Sequence, residues 1–374
     1  MSVKLTLDDV KVVLGGNEIL HGVSFEVEPG EFITLLGPSG SGKTTTLNVI
    51  AGLVETSGGH VRFDGDPVDS RPAHDRDIGL VFQSYALFPH MTVGENVAFP
   101  LVARKLPKSQ RREIVDRMLD LVQLPGTANR GVRSLSGGQQ QRIALARALA
   151  PSPSVLLLDE PMAALDKQLR ETMQIEVRRI QREIGVTTVA VTHDQTEAMT
   201  MSDRVAIMSH GHLEQIDTPE NAYRRPATLF VAQFLGEINL IPVVDGRLVG
   251  FDAPVEARVG TATLRPEDFR LAADAPAGVP TISAKVRTAS FQGTRYRLGV
   301  VNEAVGSMVM NAPAATDRRL IAEGCTVDFA LVTDDGIHVV DEQLDGSSRP
   351  LGGEQTAAGG AGAEVDEQRQ AVHP

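Results

Sequence analysis

One stretch restricts this chain more than any other. The apolar run Phe32 to Leu36 leads into Gly37-Pro38-Ser39-Gly40-Ser41-Gly42-Lys43-Thr44, and a helical pattern starts at Lys43. This is the Gly-x-x-x-x-Gly-Lys-Ser/Thr spacing between a buried strand and a helix. Small residues there let consecutive backbone N–H groups converge on phosphate oxygens, and the helix N-terminus adds partial positive charge. Lys43 is placed to neutralise those oxygens, Thr44 to offer its hydroxyl to Mg²⁺, and Thr45 follows in the first turn. A glycine-rich strand-to-helix turn without a ligand is the plainer alternative. The complete spacing in this setting argues for a nucleotide.

The surrounding pattern agrees with an α/β, P-loop NTPase (RecA-like) core. Phe32 to Leu36, Val155 to Leu158 and Thr187 to Val191 are continuous apolar or β-branched runs, as strands covered on both faces should be. Helices are expected over Lys43–Ala51, Ser109–Val122, Gln139–Ala150 and Leu165–Ile184. After about Glu237 the texture turns to short β-like pieces. Val243 to Val249 reads as a hairpin turning at Asp245-Gly246, Val332 to Val339 as another turning at Asp335-Gly336, and Thr281 to Arg287 as a half-exposed strand. A small all-β, OB-like barrel or sandwich is expected there. The Gly-, Ala- and Glu-rich end from Gly346 is expected to be disordered. The expected division is 1–236, with a helical subdomain at about 87–151, then 237–345, then a 346–374 tail.

Composition removes several classes of function. No run approaches the ~20 apolar residues of a membrane-spanning helix, and the first residues lack a signal-peptide core, so a cytosolic protein is expected. A single cysteine, Cys325, excludes an internal disulfide and a Cys-x-x-Cys zinc site. With a formal net charge of −12 and no Trp, the basic footprint of a nucleic-acid binder is missing.

A second strand supplies carboxylates. Val155 to Leu158 runs directly into Asp159-Glu160. Asp159 at the strand end can hold Mg²⁺, and Glu160, one position on, can polarise an attacking water. The pair could instead cap the next helix, but Gly37, Asp159 and His193 all follow the carboxyl ends of expected strands, where ligands of open α/β sheets bind.

Leu135-Ser136-Gly137-Gly138-Gln139-Gln140-Gln141-Arg142 opens a further helix, with Ser136 as a natural N-cap and Gly137 and Gly138 leaving N–H groups for an anion. Here the sequence resembles the ATP-binding subunits of ABC transporters, whose signature is Leu-Ser-Gly-Gly-Gln. The resemblance implies a head-to-tail dimer, a homodimer or a pair of paralogous cassettes, in which Ser136 to Gln139 of one subunit close over ATP held by the other's phosphate loop. It further implies that Gln83 in Val81-Phe82-Gln83 contacts Mg²⁺ and water and senses the membrane subunit. His193 in Thr192-His193-Asp194 would reach the γ-phosphate, although Asp194 and Glu197 could simply serve the next helix. Asp166, closing Pro161 to Asp166, would contact the partner cassette. Tyr85 to Met91 and the helices to Ala150 would grip the membrane subunit, with core packing the alternative for Tyr85, Leu87 and Phe88.

Two positions depart from the family's pattern. Leu14 stands where an adenine-stacking aromatic is usual, and Ala163 where many relatives carry Ser or Gly. The single cassette without membrane helices, followed by a β-rich part, resembles importer ATPases. Leu264 to Leu271 looks like their Arg-Pro-Glu element, and Leu165–Glu183, Thr200–Arg204 and Phe230–Glu237 look like the spermidine/putrescine type. What this implies is an ATPase at the cytoplasmic face of the membrane that serves two permease subunits and an extracytoplasmic solute-binding protein. Polyamine is the expected cargo, with ferric iron or 2-aminoethylphosphonate import, or a nucleotide-dependent regulatory binding protein, as alternatives.

Overall fold

The computed structural model describes residues 2–342 apart from 252 and 334–335. The expected tail therefore lies outside the described residues, as does Asp335 of the second expected turn. Two sheets make the first part. An antiparallel sheet in the order β2-β1-β4-β5 is built from β1 (Leu5–Leu14), β2 (Asn17–Val27), β4 (Gly58–Phe63) and β5 (Asp66–Pro67). The second sheet runs β10-β9-β3-β8-β7-β6. Its strands are β3 (Phe32–Leu36), β6 (Ile78–Val81), β7 (Val155–Asp159), β8 (Thr187–Thr192), β9 (Arg204–Ser209) and β10 (His212–Asp217). All its pairings are parallel except β9 with β10. Every residue of β3 and of β8 is buried, which accounts for their unbroken apolar and β-branched sequences.

Helix α1 (Lys43–Ala51) sits between the two sheets, with Leu47 and Ile50 inside the same apolar core as Leu7, Val61 and Val191. Burial of each such side chain contributes about 1.5–3 kcal/mol. A second core lies under α2 (Val93–Ala103), α3 (Lys108–Leu121), α4 (Gly137–Leu149) and α5 (Lys167–Ile184). Met173, Val177 and Ile180 place the buried stripe of α5 at helical spacing, and Gly185 closes the helix at φ 70°. The chain starts α4 two residues before the expected Gln139, because Ser136 is the cap. It starts α5 two residues after the expected Leu165, because Asp166 accepts from Leu169 N–H.

Helices α6 (Gln195–Met201), α7 (Pro219–Arg224) and α8 (Leu229–Phe234) cover the far side of the parallel sheet and carry the chain to the β-rich part. There β11 (Asn239–Val244), β12 (Arg247–Leu248) and β13 (Gly260–Leu264) join β19 (Val339–Val340) in a four-stranded sheet. A five-stranded sheet, β14-β18-β15-β16-β17, packs with it around one core. Its strands are β14 (Phe269–Leu271), β15 (Thr281–Phe291), β16 (Arg295–Asn302), β17 (Gly306–Pro313) and β18 (Thr326–Leu331). The first expected hairpin forms: Val244 pairs with Arg247, and Asp245 and Gly246 both take positive φ, 50° and 75°. Residues Thr281 to Arg287 alternate exposed and buried as expected.

The second expected turn falls partly on residues outside those described. Strand β18 belongs to the five-stranded sheet, whereas Val339–Val340 pairs with β13 in the other, so the described residues on its two sides belong to different sheets. Alternation and an Asp-Gly pair describe a turn but carry no information on which sheet receives the next strand.

Arg265 ties the two parts of the molecule. Its guanidinium is buried and donates to the carbonyls of Tyr223, Ala232, Gly236 and Glu237, and it lies 3.9 Å from the Tyr223 ring centroid. The Arg-Pro-Glu element is thus a structural strap, since Glu267 in turn accepts the Tyr223 hydroxyl at 2.7 Å.

Candidate nucleotide site

The parallel sheet brings the candidate residues to one edge. Leu36 is level with Thr192, Asp159 with Val191, and Val81 with Leu158. The loops starting at Gly37, Phe82, Glu160 and His193 therefore leave the carboxyl ends of four consecutive strands, β3, β8, β7 and β6.

The glycine loop is held by close backbone approach. A Cβ on Gly37 would stand 2.2 Å from Met208 O, so a larger residue has no room. Ser41 N–H donates to Pro38 O, and Ser41 O accepts from Gly211 N–H of the β9–β10 turn. Gly42 adopts φ 98°. Pro38, Ser39, Gly40 and Thr44 face solvent, and Thr45 is half-buried. Lys43 is buried, and its ammonium donates to Gly37 O and Pro38 O, both at 2.8 Å. Burial pulls its pKa down, and the charge of Glu160 opposes that.

Glu160 is the hub. It follows β7 at φ 43°, a left-handed backbone that a non-glycine residue rarely adopts. Its N–H donates to Val191 O at 3.0 Å. Gln83 Nε2 donates to Glu160 Oε2 at 3.0 Å, and His193 Nδ1 meets Glu160 Oε1 at 3.2 Å. A carboxylate only accepts, so this contact assigns the imidazole proton to Nδ1. Asp159, half-buried beside it, has its pKa raised, first by burial and then by the Glu160 charge. The hydroxyl of Thr44, the amide oxygen of Gln83 and the carboxyl of Asp159 are oxygen groups of the kind a hard cation such as Mg²⁺ prefers.

Other candidates make local bonds. Ser136 Oγ accepts from Gln139 N–H and Gln139 Oε1 accepts from Ser136 N–H, a reciprocal cap. Ser136 and Gly137 are exposed. Gly138 has a packing reason as well, because a Cβ there would lie 2.9 Å from Leu169. Asp166 caps α5 and Asp194 caps α6. Leu14 is 46% exposed at the end of β1. Tyr85 is buried in the core, in line with the packing alternative, whereas Phe82 and Phe99 stay about two-fifths exposed. Sequence reading passed over Arg170, which donates to Asp194 Oδ2 and to Leu165 O and so links the segment after Glu160 to the one after β8. An arginine on an amphipathic helix gives no signal of such a bridge.

Residues 20–163 match the family model described as ABC transporter, and residues 262–339 match the TOBE domain. A spermidine/putrescine import ATP-binding protein, PotA, of Thermobifida fusca is 48% identical over 303 residues, covering 76% of this chain and 79% of the relative. Proteins of the same name from Acidothermus cellulolyticus and Clostridium novyi are 49% and 42% identical, over 76% and 79% of this chain and 76% and 87% of their own. Among solved structures, a dimeric ATP-binding cassette in a post-hydrolysis state with ADP and Pi aligns with TM-score 0.51 and 33% identity, covering 57% of this chain and 98% of that one. A component of a Clostridium perfringens ABC transporter complex aligns with TM-score 0.56 and 30% identity, over 59% of this chain and 90% of its own. The chain belongs to the ABC transporter family, as one of its ATP-binding ATPases.

Proposed function

We propose that this protein hydrolyses ATP to power solute import through separate membrane subunits, with spermidine and putrescine as the cargo. The observation that carries the reading is Glu160, bonded by both Gln83 and His193 at the strand ends beside the Lys43 loop. The cargo rests on relatives at 42–49% identity that are named for spermidine/putrescine import. In this reading 1–236 is the cassette, with its helical subdomain at 87–151, and 237–345 the β domain. The partners are two permease subunits, an extracytoplasmic solute-binding protein and a second cassette. In this reading the protein docks at the cytoplasmic face of the membrane through those subunits. Among the described residues no helix is long and apolar enough to cross a membrane.

The assigned roles follow from the chemistry of each group. The N–H groups of residues 37–44 and Lys43 bind the phosphates, with Lys43 exchanging its loop carbonyls for phosphate oxygens. Thr44, Gln83 and Asp159 would hold Mg²⁺, which would supply charge neutralisation when bound. Glu160 orients the attacking water for in-line displacement, and His193 steadies the γ-phosphate. Ser136, Gly137, Gly138 and Gln139 close over the partner cassette's nucleotide, and Asp166 contacts that partner. Leu14 covers the base without an aromatic face. Loss of the γ-phosphate after hydrolysis removes the bridge between cassettes and lets them part.

The test is uptake in cells lacking the gene, restored with the wild type or with Glu160→Gln. Labelled spermidine and putrescine would be run beside ferric iron and 2-aminoethylphosphonate. Loss of polyamine uptake, rescued by the wild type and not by Glu160→Gln, is expected. Loss of a different uptake would overturn the cargo.

A further inference from the structure

We propose that Glu197 is a positioning residue for His193, acting through Thr192; the inference rests on the role given to His193 above. Asp194 already caps α6 by accepting from Glu197 N–H at 3.1 Å, so the helix start does not need a second acid. Glu197 is buried, 5% exposed, and its Oε1 is buried without a hydrogen-bond partner. Leaving such an oxygen unsatisfied is destabilising, which points to a specific task for the other oxygen.

That oxygen, Oε2, accepts the Thr192 hydroxyl at 2.8 Å. With its hydrogen committed to Glu197, Thr192 Oγ1 keeps a lone pair for the Asp194 N–H, which donates to it at 3.0 Å. The residues on both sides of His193 are therefore held by one side-chain chain, Glu197 to Thr192 to Asp194. Arg170 pins Asp194 from α5 at 2.9 Å and reaches back to Leu165 O. His193 is itself 62% exposed, so little packing fixes its loop, and Glu160 Oε1 is the contact it must meet. The charged groups around Glu197 are Asp194, Arg170 and His193; burial lifts its pKa to about 7, so a neutral carboxyl suits the pocket.

The test is steady-state ATP turnover by the full chain, with ATP affinity measured by calorimetry. Displacing a reacting group by about 1 Å can cost on the order of a hundredfold in rate. Glu197→Ala and Thr192→Val are each expected to lower kcat at least about tenfold with KM for ATP within about twofold. Thr192→Ser and Glu197→Gln, which keep the acceptor chain, are expected to stay within about threefold of wild type. The double variant Glu197→Ala/His193→Ala is expected to be no slower than His193→Ala, because both act on one step. Multiplying losses in that cycle, or wild-type kcat in Glu197→Ala or Thr192→Val, would overturn the proposal. A wild-type rate in His193→Ala would overturn it through its premise, which identifies the failed step. If Glu197→Ala does not fold, the Thr192 pair decides alone.

Discussion

Replacing Arg265 by methionine should loosen the β-rich part from the cassette without touching ATP chemistry. The side chain is 4% exposed and supplies hydrogen bonds to four carbonyls on α7, α8 and the segment that follows. A methionine fills much of the same volume but offers no donor. Each orphaned carbonyl costs about 1–3 kcal/mol if it stays dry, and water entering a polar space recovers part of that. The cation–π contact with Tyr223 at 3.9 Å is worth up to about 2 kcal/mol when desolvated. A net loss of about 3–5 kcal/mol at this contact is the expected outcome. The assay is limited proteolysis of the full chain, following cleavage around 236–239. Where opening is fast, the cleavage rate tracks the open population, so 3 kcal/mol predicts a rise of at least about a hundredfold. Arg265→Lys should fall between, because an ammonium lacks the planar fork and the ring contact. Turnover should stay within about twofold, since the groups Arg265 holds lie outside 37–44, 159–166 and 192–194. Cleavage of Arg265→Met at the wild-type rate would refute the strap.

Glu197 adds a pH dependence to stability. Its folded pKa of about 7 exceeds the ordinary value of 4.5, so the folded protein binds the extra proton between those values. The contribution of Glu197 to stability is therefore complete below about pH 4.5 and declines through about pH 7, by up to about 3 kcal/mol. Denaturant midpoints of the wild type should fall relative to Glu197→Gln across that window, and parallel curves would disprove the assignment. Glu160→Gln should bind ATP normally while turnover falls at least about a hundredfold and dimers accumulate with ATP, as read by light scattering; normal turnover would remove Glu160 from its role. Gly37→Ala should abolish ATP binding by calorimetry, because its Cβ would collide with Met208 O at 2.2 Å. Leu14→Tyr should tighten ATP by about 1–3 kcal/mol if stacking is what the position lacks, and an unchanged dissociation constant counts against that.

Motifs defined by consecutive residues were readable without coordinates. The strand before Gly37, the helix at Lys43, the acids after Val155–Leu158, and the cap Ser136 depend on backbone geometry over a few residues, which local sequence controls. Strand β15 and the Asp245-Gly246 hairpin were legible for the same reason. The crossing between β18 and β19 was not, because which sheet accepts a strand depends on the free edges left by others. Nor could sequence order reveal that Gln83 and His193 converge on one carboxylate, that Arg170 joins two loops, or that Arg265 reaches four carbonyls. The residue types and the phosphate loop belong to the sequence by itself. The hydrogen-bonded cluster, the buried Glu197 and the strap belong to the tertiary structure, because desolvation and contact between segments far apart in the chain arise only when sheets and helices pack.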